Sequence, residues 1–477
     1  MKIGIIDIIS NQSVSLYAKW FQSSLVSIMP QAIGVWCEEL SQDVWYHILI
    51  ESDITQLNTD LDLVFISTHT CNAYLAYCVS NYYKFYEIIT VVGGPHAVSY
   101  PDECLEYFDI VVNKCDKSLI AEILGNPQSF YNEIVSSEHP EIFPGIKDRW
   151  KFIKQNFGNK CLSAYGRFIP ALSSIGCPFN CNFCSDADTS YQFFGTEVLE
   201  ADFKFLAGKR GNFNILWYDP NFGINLNHFF NTFHTNVYSN ISHLAEMNLS
   251  FLNESVLIKL KENRFWGLAP GLESWSSYDN KVISTSLSKK GKVIQTAEHL
   301  KLITKYVPFI QLNIIFGLDI DTEKNPSEAF ELTKEFMWLV PNVSTNFQTL
   351  TIFGKTSKLG RELYKADRVI DVPYHVLDGF TISNVKFKCD NAEFYNAYID
   401  LIKFTKSRSF FIKRLQSAKD WRLKLLFLGK QFNNQTDLQQ FNRLTQKKSN
   451  TFEEYFYQHV STLKNYAPIS LVQKFKR

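Results

Sequence analysis

The chain carries no formal net charge: Lys plus Arg and Asp plus Glu each number 48 over 477 residues. Without a global field to hold a polyanion, a dedicated nucleic-acid binder is not expected. Glycine (21) and proline (15) are too few for a fibrous or disordered chain. No apolar run is long enough to span a bilayer. Even 307–318 is interrupted by Gln311 and Asn313 and follows Lys305. The opening residues Met1 to Asp7 read as a strand, too short and acidic too early for a signal peptide. These absences lead us to expect a cytoplasmic protein with no transmembrane segment. There is no internal repeat and no low-complexity stretch. What is present is ordinary for a globular chain: 45% hydrophobic residues, and 40 Phe to fill cores. At about 100–200 residues per domain, the length suggests two to four domains.

Ten cysteines in a chain expected to be cytosolic point to thiols rather than disulfides. Seven of them (Cys37, Cys71, Cys78, Cys104, Cys115, Cys161 and Cys389) are scattered and read as small hydrophobes. The other three are clustered.

The first 125 residues alternate strand and helix. Strands are expected near 2–7, 43–50, 62–67, 88–92 and 108–112, and helices near 13–27, 72–85 and 117–124. The strands are short, β-branched and apolar on both faces, as buried parallel strands are. A doubly wound α/β domain follows, with its ligand beyond the strand C-termini. Residues 126–160 are mixed and polar and read as a linker. A second series follows, with strands near 168–173, 214–218, 243–249, 266–271, 310–316 and 346–352. Helices fall near 196–208, 226–238, 254–263, 293–306 and 326–340. Six β/α units are too few for a closed eight-stranded barrel and fit an open, partial (β/α)6 barrel over 161–360. The region 361–477 is mainly helical, with helices expected near 392–405, 421–432 and 452–466. Its basic stretch 403–430 reads first as an amphipathic helix with a solvated face.

Gly176-Cys177-Pro178-Phe179-Asn180-Cys181-Asn182-Phe183-Cys184 follows the first strand of the second series, with spacing C-x3-C-x2-C. So short a loop can turn three thiolates toward one centre. Zinc usually takes four ligands, and no fourth Cys or His is near in sequence. An iron–sulfur cluster on three thiolates leaves one iron open. A zinc site completed from a distance, or three packed thiols, are the alternatives.

This loop resembles that of the radical SAM superfamily, in which three Cys hold a [4Fe–4S] cluster. The open iron binds S-adenosylmethionine (SAM), and an electron cleaves it to a 5′-deoxyadenosyl radical. The resemblance extends downstream. Trp217-Tyr218-Asp219-Pro220-Asn221-Phe222, Ala245-Glu246-Met247-Asn248, Gly271-Leu272-Glu273-Ser274 and Phe316-Gly317-Leu318-Asp319 resemble the motifs that end successive barrel strands. It implies Cys177, Cys181 and Cys184 as cluster ligands, with Asp219, Asn221, Glu246, Gly271, Glu273 and Gly317 around SAM. Thr351-Ile352-Phe353-Gly354-Lys355-Thr356 departs from the family, lacking the prolines common after the sixth strand.

Val92-Gly93-Gly94-Pro95-His96, followed by Tyr100-Pro101-Asp102, is similar to the signature of the cobalamin-binding domain fused to many radical SAM enzymes. The resemblance implies a cobalamin site at Gly93, Gly94, Pro95 and His96. Two departures stand beside it. The D-x-H-x-x-G motif that presents a cobalt-binding His is absent, and Asn113-Lys114-Cys115-Asp116 replaces a common G-E-G-E.

The expected protein is thus an α/β enzyme, with a Rossmann-like cobalamin-type domain, a radical SAM barrel and a helical C-terminal region. Cobalamin-dependent methylation of an unactivated centre is the leading activity. The substrate would be a small molecule or carrier-bound, and the electron donor a flavodoxin or ferredoxin. The alternatives are a cobalamin-independent rearrangement, oxidation or cyclisation, and a non-catalytic cobalamin or iron–sulfur sensor.

Overall fold

The structure, a computed structural model, describes residues 1–9, 27–49, 57–137, 142–157, 167–276, 288–323, 325–372, 374, 377–380 and 382–433. The first domain is built on β1 (Lys2–Ile8), β2 (Asp43–Leu49), β3 (Leu63–Thr68), β4 (Ile89–Gly93), β5 (Ile110–Lys114) and β6 (Glu133–Ser136). All pair in parallel, in the order β2-β1-β3-β4-β5-β6. The period-2 alternation sends Ile3, Ile5, Phe65, Val91 and Val112 to one face, under the helices Ile28–Glu39 and Lys117–Gly125. Ile6, Ile8, Val64, Ile66, Val92 and Val111 go to the other, against the helix Ala73–Phe85. Both faces are covered, as a parallel sheet requires. The strand order reverses at β1 and β3, so the ligand crevice of a doubly wound sheet falls at their C-terminal ends.

Two readings of this region need correction. The stretch 126–160, read as linker, supplies β6 and the helix Ile146–Ile153. The helix Ile28–Glu39 lies where no element was expected. Pro30 lies in the first turn, where its missing N–H costs nothing. Gly34 is a contact: a Cβ there would lie 2.7 Å from the ring of Phe152 on the helix Ile146–Ile153. The helix expected at 13–27 lies almost wholly outside the described residues.

The barrel begins with β7 (Arg167–Ala171). A two-residue antiparallel ladder of β8 (Ser174–Ile175) and β9 (Gln192–Phe193) ties the base of the cysteine loop. Then come β10 (Phe213–Trp217), β11 (Ile241–Ala245), β12 (Phe265–Leu268), β13 (Gly271–Glu273), β14 (Phe309–Phe316) and β15 (Ser344–Thr349). Both β12 and β13 pair with β14, so they are one stave interrupted at Ala269 and Pro270. Six parallel staves in chain order, with β7 and β15 at the ends, make the open (β/α)6 barrel expected from the sequence. Helices Asn391–Lys406, Arg408–Ser417 and Trp421–Asn433 follow. Leu423 and Phe427 of the last pack with Phe309 at the N-terminal end of β14, away from the strand C-termini. The helix expected at 452–466 lies outside the described residues. No helix among the described residues is long and apolar enough to cross a membrane.

Candidate active site

The cysteine loop is held by its neighbours before it holds anything. Gly176 has φ 69°, and a Cβ on it would lie 2.3 Å from the Ser190 carbonyl oxygen, so only glycine lets the chain double back there. The Cys184 amide donates to the Cys181 carbonyl at 3.1 Å. From the far side, the Leu359 amide donates to the Asn182 carbonyl at 2.7 Å, and Arg361 pairs with Asp188 at 2.8 Å. The segment after β15, which lacks the family's prolines, is therefore a clasp over the cysteine loop. Its Gly354 (φ 58°) packs on the Ser99 carbonyl of the first domain.

Cys177, Cys181 and Cys184 line one cavity of about 460 Å³ at the strand C-termini. Opposite them lie Asn221, Glu246, Gly271 and Glu273, from the ends of the second, third and fourth staves. Three thiols facing carboxylates and a carboxamide form a donor set suited to a thiolate-bound cluster with a cationic ligand beside it. Among the described residues no three His, Cys, Asp or Glu side chains converge as the ligands of a single ion would. Glu246 is exposed into the cavity, while Glu273 is buried with an unusual positive φ of 65°. Gly271 makes room for it, since a Cβ there would meet Glu273 Oε1 at 2.1 Å.

Two expected SAM residues are placed elsewhere. Asp219 is fully buried behind the cavity. Its carboxylate accepts from the Ser173 amide (3.1 Å), Ser173 Oγ (2.6 Å), Ser174 Oγ (2.7 Å) and Asn225 Nδ2 (3.2 Å). It pins the residues that lead into the cysteine loop, and burial raises its pKa against those hydrogen bonds. Gly317 (φ 106°) faces Phe387, which a Cβ would meet at 2.6 Å. The fifth stave instead contributes Asn313 and Ile315 to the cavity, and the sixth Gln348. Asn313 accepts from Asn346 Nδ2 at 3.2 Å. The signal for Asn313 was in the sequence, as a polar interruption of an apolar strand.

A second cavity of about 230 Å³ lies at the C-terminal edge of the first sheet. Its walls are mostly apolar: Ile5, Phe65, Val91, Val112 and, from the helix above, Met29 and Ile33. Gly93 and Gly94 line it, as expected. Gly94 has φ 92°, and a Cβ there would crowd Ser67 Oγ and the Thr68 carbonyl at 3.1 Å. Asn113, Lys114 and Cys115, the departure from G-E-G-E, form another part of the wall.

Pro95 and His96 do not line this cavity. Pro95 opens the short helix Pro95–Ser99. His96 is fully buried toward the other face, with Nε2 2.7 Å from the Tyr77 hydroxyl and its ring against Tyr374. Burial pushes its pKa down to about 4, so it is a neutral core histidine. His69 differs: its side chain is solvent-accessible yet hemmed in by protein, which lowers its pKa.

The two cavities are neighbours. Ile175 lines the first-domain cavity, and Cys177, two residues on, lines the barrel cavity. Asp378 of the barrel cavity is near enough to Cys71, on the loop after β3, to add to burial in pushing its thiol up to about 11. Tyr218, 40% exposed, lies between Glu246 and Asp7 of β1, and burial in the crevice plus those charges raises its phenol pKa.

No protein-family model matches the chain. Among curated proteins it is 24% identical over 318 residues to bacteriochlorophyllide d C-8(2)-methyltransferase of Chlorobaculum tepidum, covering 62% of this chain and 67% of that one. It is 23% identical over 291 residues to the C-12(1)-methyltransferase of the same organism, covering 58% and 60%. Among solved structures it is similar to TsrM, a radical SAM methyltransferase from Kitasatospora setae with cobalamin and a [4Fe–4S] cluster bound. The TM-score is 0.54 at 12% identity, over 76% of this chain and 75% of that one. It is also similar to the cobalamin-dependent radical SAM enzyme OxsB with aqua-cobalamin bound, at TM-score 0.56 and 13% identity, over 97% and 75%. The order of domains, the six-stave barrel and these matches agree that the chain has the fold of the cobalamin-dependent radical SAM enzymes.

Proposed function

We propose that this chain is a radical SAM enzyme of the cobalamin-dependent type that transfers a methyl group to a small molecule. The observation that carries the reading is the single cavity that gathers three thiols with Asn221, Glu246 and Glu273 at the strand C-termini. When bound, a [4Fe–4S] cluster supplies the electron that cleaves SAM, and cobalamin carries the methyl group from a second SAM toward the substrate.

The chain's own residues supply position. Cys177, Cys181 and Cys184 would hold three irons of the cluster, and the clasp from 354–361 keeps their loop in place. Glu246 and Glu273 would accept hydrogen bonds from the ammonium or ribose of SAM, and Asn221 would add a carboxamide. The apolar slot beside Gly93 and Gly94 suits the aromatic base of a corrinoid. His96, buried and bonded to Tyr77, does not line the slot, so it would take no part in holding the corrinoid. The substrate would enter where the two domains meet, beside Tyr218 and Asp378.

The curated relatives are named for methylating a tetrapyrrole, and a TsrM structure holds tryptophan. Methyl transfer to a small molecule is their common ground, and this chain is assigned no finer substrate. A flavodoxin or ferredoxin as electron donor and a cytoplasmic location complete the proposal.

The test is anaerobic reconstitution of the wild type and of C177A/C181A/C184A. The wild type should bind about four irons more per chain. It should also convert SAM to 5′-deoxyadenosine or S-adenosylhomocysteine under reducing conditions. Equal iron in both proteins, or neither product from the wild type, overturns the reading.

A further inference from the structure

Glu273 faces the cavity from a backbone conformation that a glutamate rarely takes, with φ 65°. Something must hold it there, and three staples set the turn that follows. The Trp275 indole donates to Thr333 Oγ1 at 2.8 Å, anchoring the turn to the helix Glu328–Leu339. Ser276 Oγ donates to Asp321 at 2.6 Å. The third staple is Lys292, on the helix Lys289–Ile303. It is a lysine only 4% exposed. Its Nζ donates to the Ser274 carbonyl at 2.6 Å and to the Ser276 carbonyl at 2.9 Å, so one ammonium joins both ends of the turn.

A buried lysine is costly and normally sits where its charge is answered. Burial pushes the pKa of Lys292 down to about 8, and the carboxylates that oppose this are Asp321 and Glu273. Lys292 lies outside the cavity wall and does not face a ligand. Its charge is felt by a residue that does.

We propose that Lys292 is a positioning residue for SAM: by tying the Ser274 and Ser276 carbonyls from behind, it fixes the strained Glu273 carboxylate toward the cavity. This inference rests on the reading of Glu273 as a SAM contact. The ammonium acts in two ways. It closes the turn, so that Glu273 is presented in one orientation before SAM arrives. It also sets a positive charge near a buried carboxylate, and that attraction helps hold the carboxylate in its orientation.

The experiment is a double-mutant cycle on the reconstituted full-length protein. SAM affinity is read from the change SAM makes in the EPR signal of the reduced cluster, and iron content is measured alongside. E273Q and K292M should each retain wild-type iron and bind SAM at least ten-fold more weakly. The double variant should bind no more than two-fold more weakly than E273Q, because Lys292 acts through Glu273. K292R, which keeps the charge and the donors, should recover most of the loss. A merely structural lysine would instead give losses that multiply in the double variant, and that result overturns the proposal. So does wild-type SAM affinity in K292M while E273Q is weakened. Wild-type affinity in E273Q overturns the reading of Glu273 itself, and the inference falls with it. If K292M takes up no iron, K292Q, which keeps a donor without the charge, enters the same cycle.

Discussion

Asp219 and Glu246 both follow barrel strands and both looked like SAM ligands in the sequence, yet they should respond to mutation in opposite ways. Asp219→Asn keeps the side chain's shape and removes its charge. It also turns one acceptor atom into a donor, facing a set of donors. In the structure the carboxylate accepts from the Ser173 amide, two serine hydroxyls and the Asn225 amide, all within 3.2 Å and all buried. Hydrogen bonds to a charged group are worth about 1.5–3 kcal/mol each, and the hydroxyls can rotate to recover part of the loss. A net cost of about 3 kcal/mol follows, which lowers Tm by on the order of 10 °C for a domain of about 200 residues. Because Ser173 and Ser174 lead directly into Gly176 and Cys177, iron retention should fall with it. Glu246 is exposed and its removal should leave Tm within a degree or two, since surface substitutions are usually within about 0.5 kcal/mol. SAM affinity should suffer instead. The assay is thermal melting of the apo proteins by circular dichroism, with iron and SAM titrations after reconstitution. A D219N protein with wild-type melting and wild-type iron but weakened SAM binding would refute the argument, and would return Asp219 to the role its motif suggested.

Gly93→Leu should fold and load iron normally, because the nearest atom to a Cβ there is the Val112 carbonyl oxygen at an ordinary 3.6 Å. The new side chain fills the apolar slot, so retention of hydroxocobalamin after gel filtration should drop at least ten-fold; unchanged retention would place the cofactor elsewhere. His96→Phe should blunt acid sensitivity. The unfolded state protonates near pH 6.5 and the folded state only near 4. The unfolded chain therefore binds more protons between those values, and His96 weakens the fold as pH falls, by about 2 kcal/mol at pH 5. The fall in Tm between pH 7 and pH 5 should be smaller in the variant, and an equal fall in both proteins would count against a neutral, buried imidazole.

Much of the scaffold was legible because its signals are local. Buried parallel strands announce themselves as short β-branched runs, and six such runs followed by helices describe an open barrel. The cysteine spacing and the polar residue at each strand end are local too, and Cys177, Cys181, Cys184, Asn221, Glu246, Gly271 and Glu273 do meet in one cavity. What was not legible depends on partners distant in sequence. Nothing near Asp219 says that Ser173 and Ser174, more than forty residues earlier, would surround its carboxylate. Nothing in Gly93-Gly94-Pro95-His96 says which face of the sheet the imidazole takes. Tyr77 decides that, from the helix before β4. The role of Gly34 shows only once Phe152 is seen lying across it.

The relation between the two domains is the hardest part to read from sequence, and the function depends on it. A strand series places a site at its own C-terminal edge, but nothing in either series says that the two edges face each other. The structure assigns much of that task to Arg149, a residue no motif marks. It is 1% exposed, and burial pushes its pKa down to about 10. Its guanidinium donates to Gln31 Oε1 on the first-domain helix at 2.8 Å, to the Pro144 carbonyl at 3.0 Å and to the Pro170 carbonyl of β7 at 3.3 Å. A planar fork with donors on several sides can hold three segments at fixed angles, which a lysine cannot do. The helix that carries Arg149 is itself capped from the barrel, since Asp202 accepts from the Ile146 and Lys147 amides at 2.7 and 2.8 Å. The stretch that looked like a polar linker is thus the joint between the domains. Its polarity serves buried hydrogen bonds that fix the domain angle, so that the short segment from Ile175 to Cys177 runs from the wall of one cavity to the wall of the other.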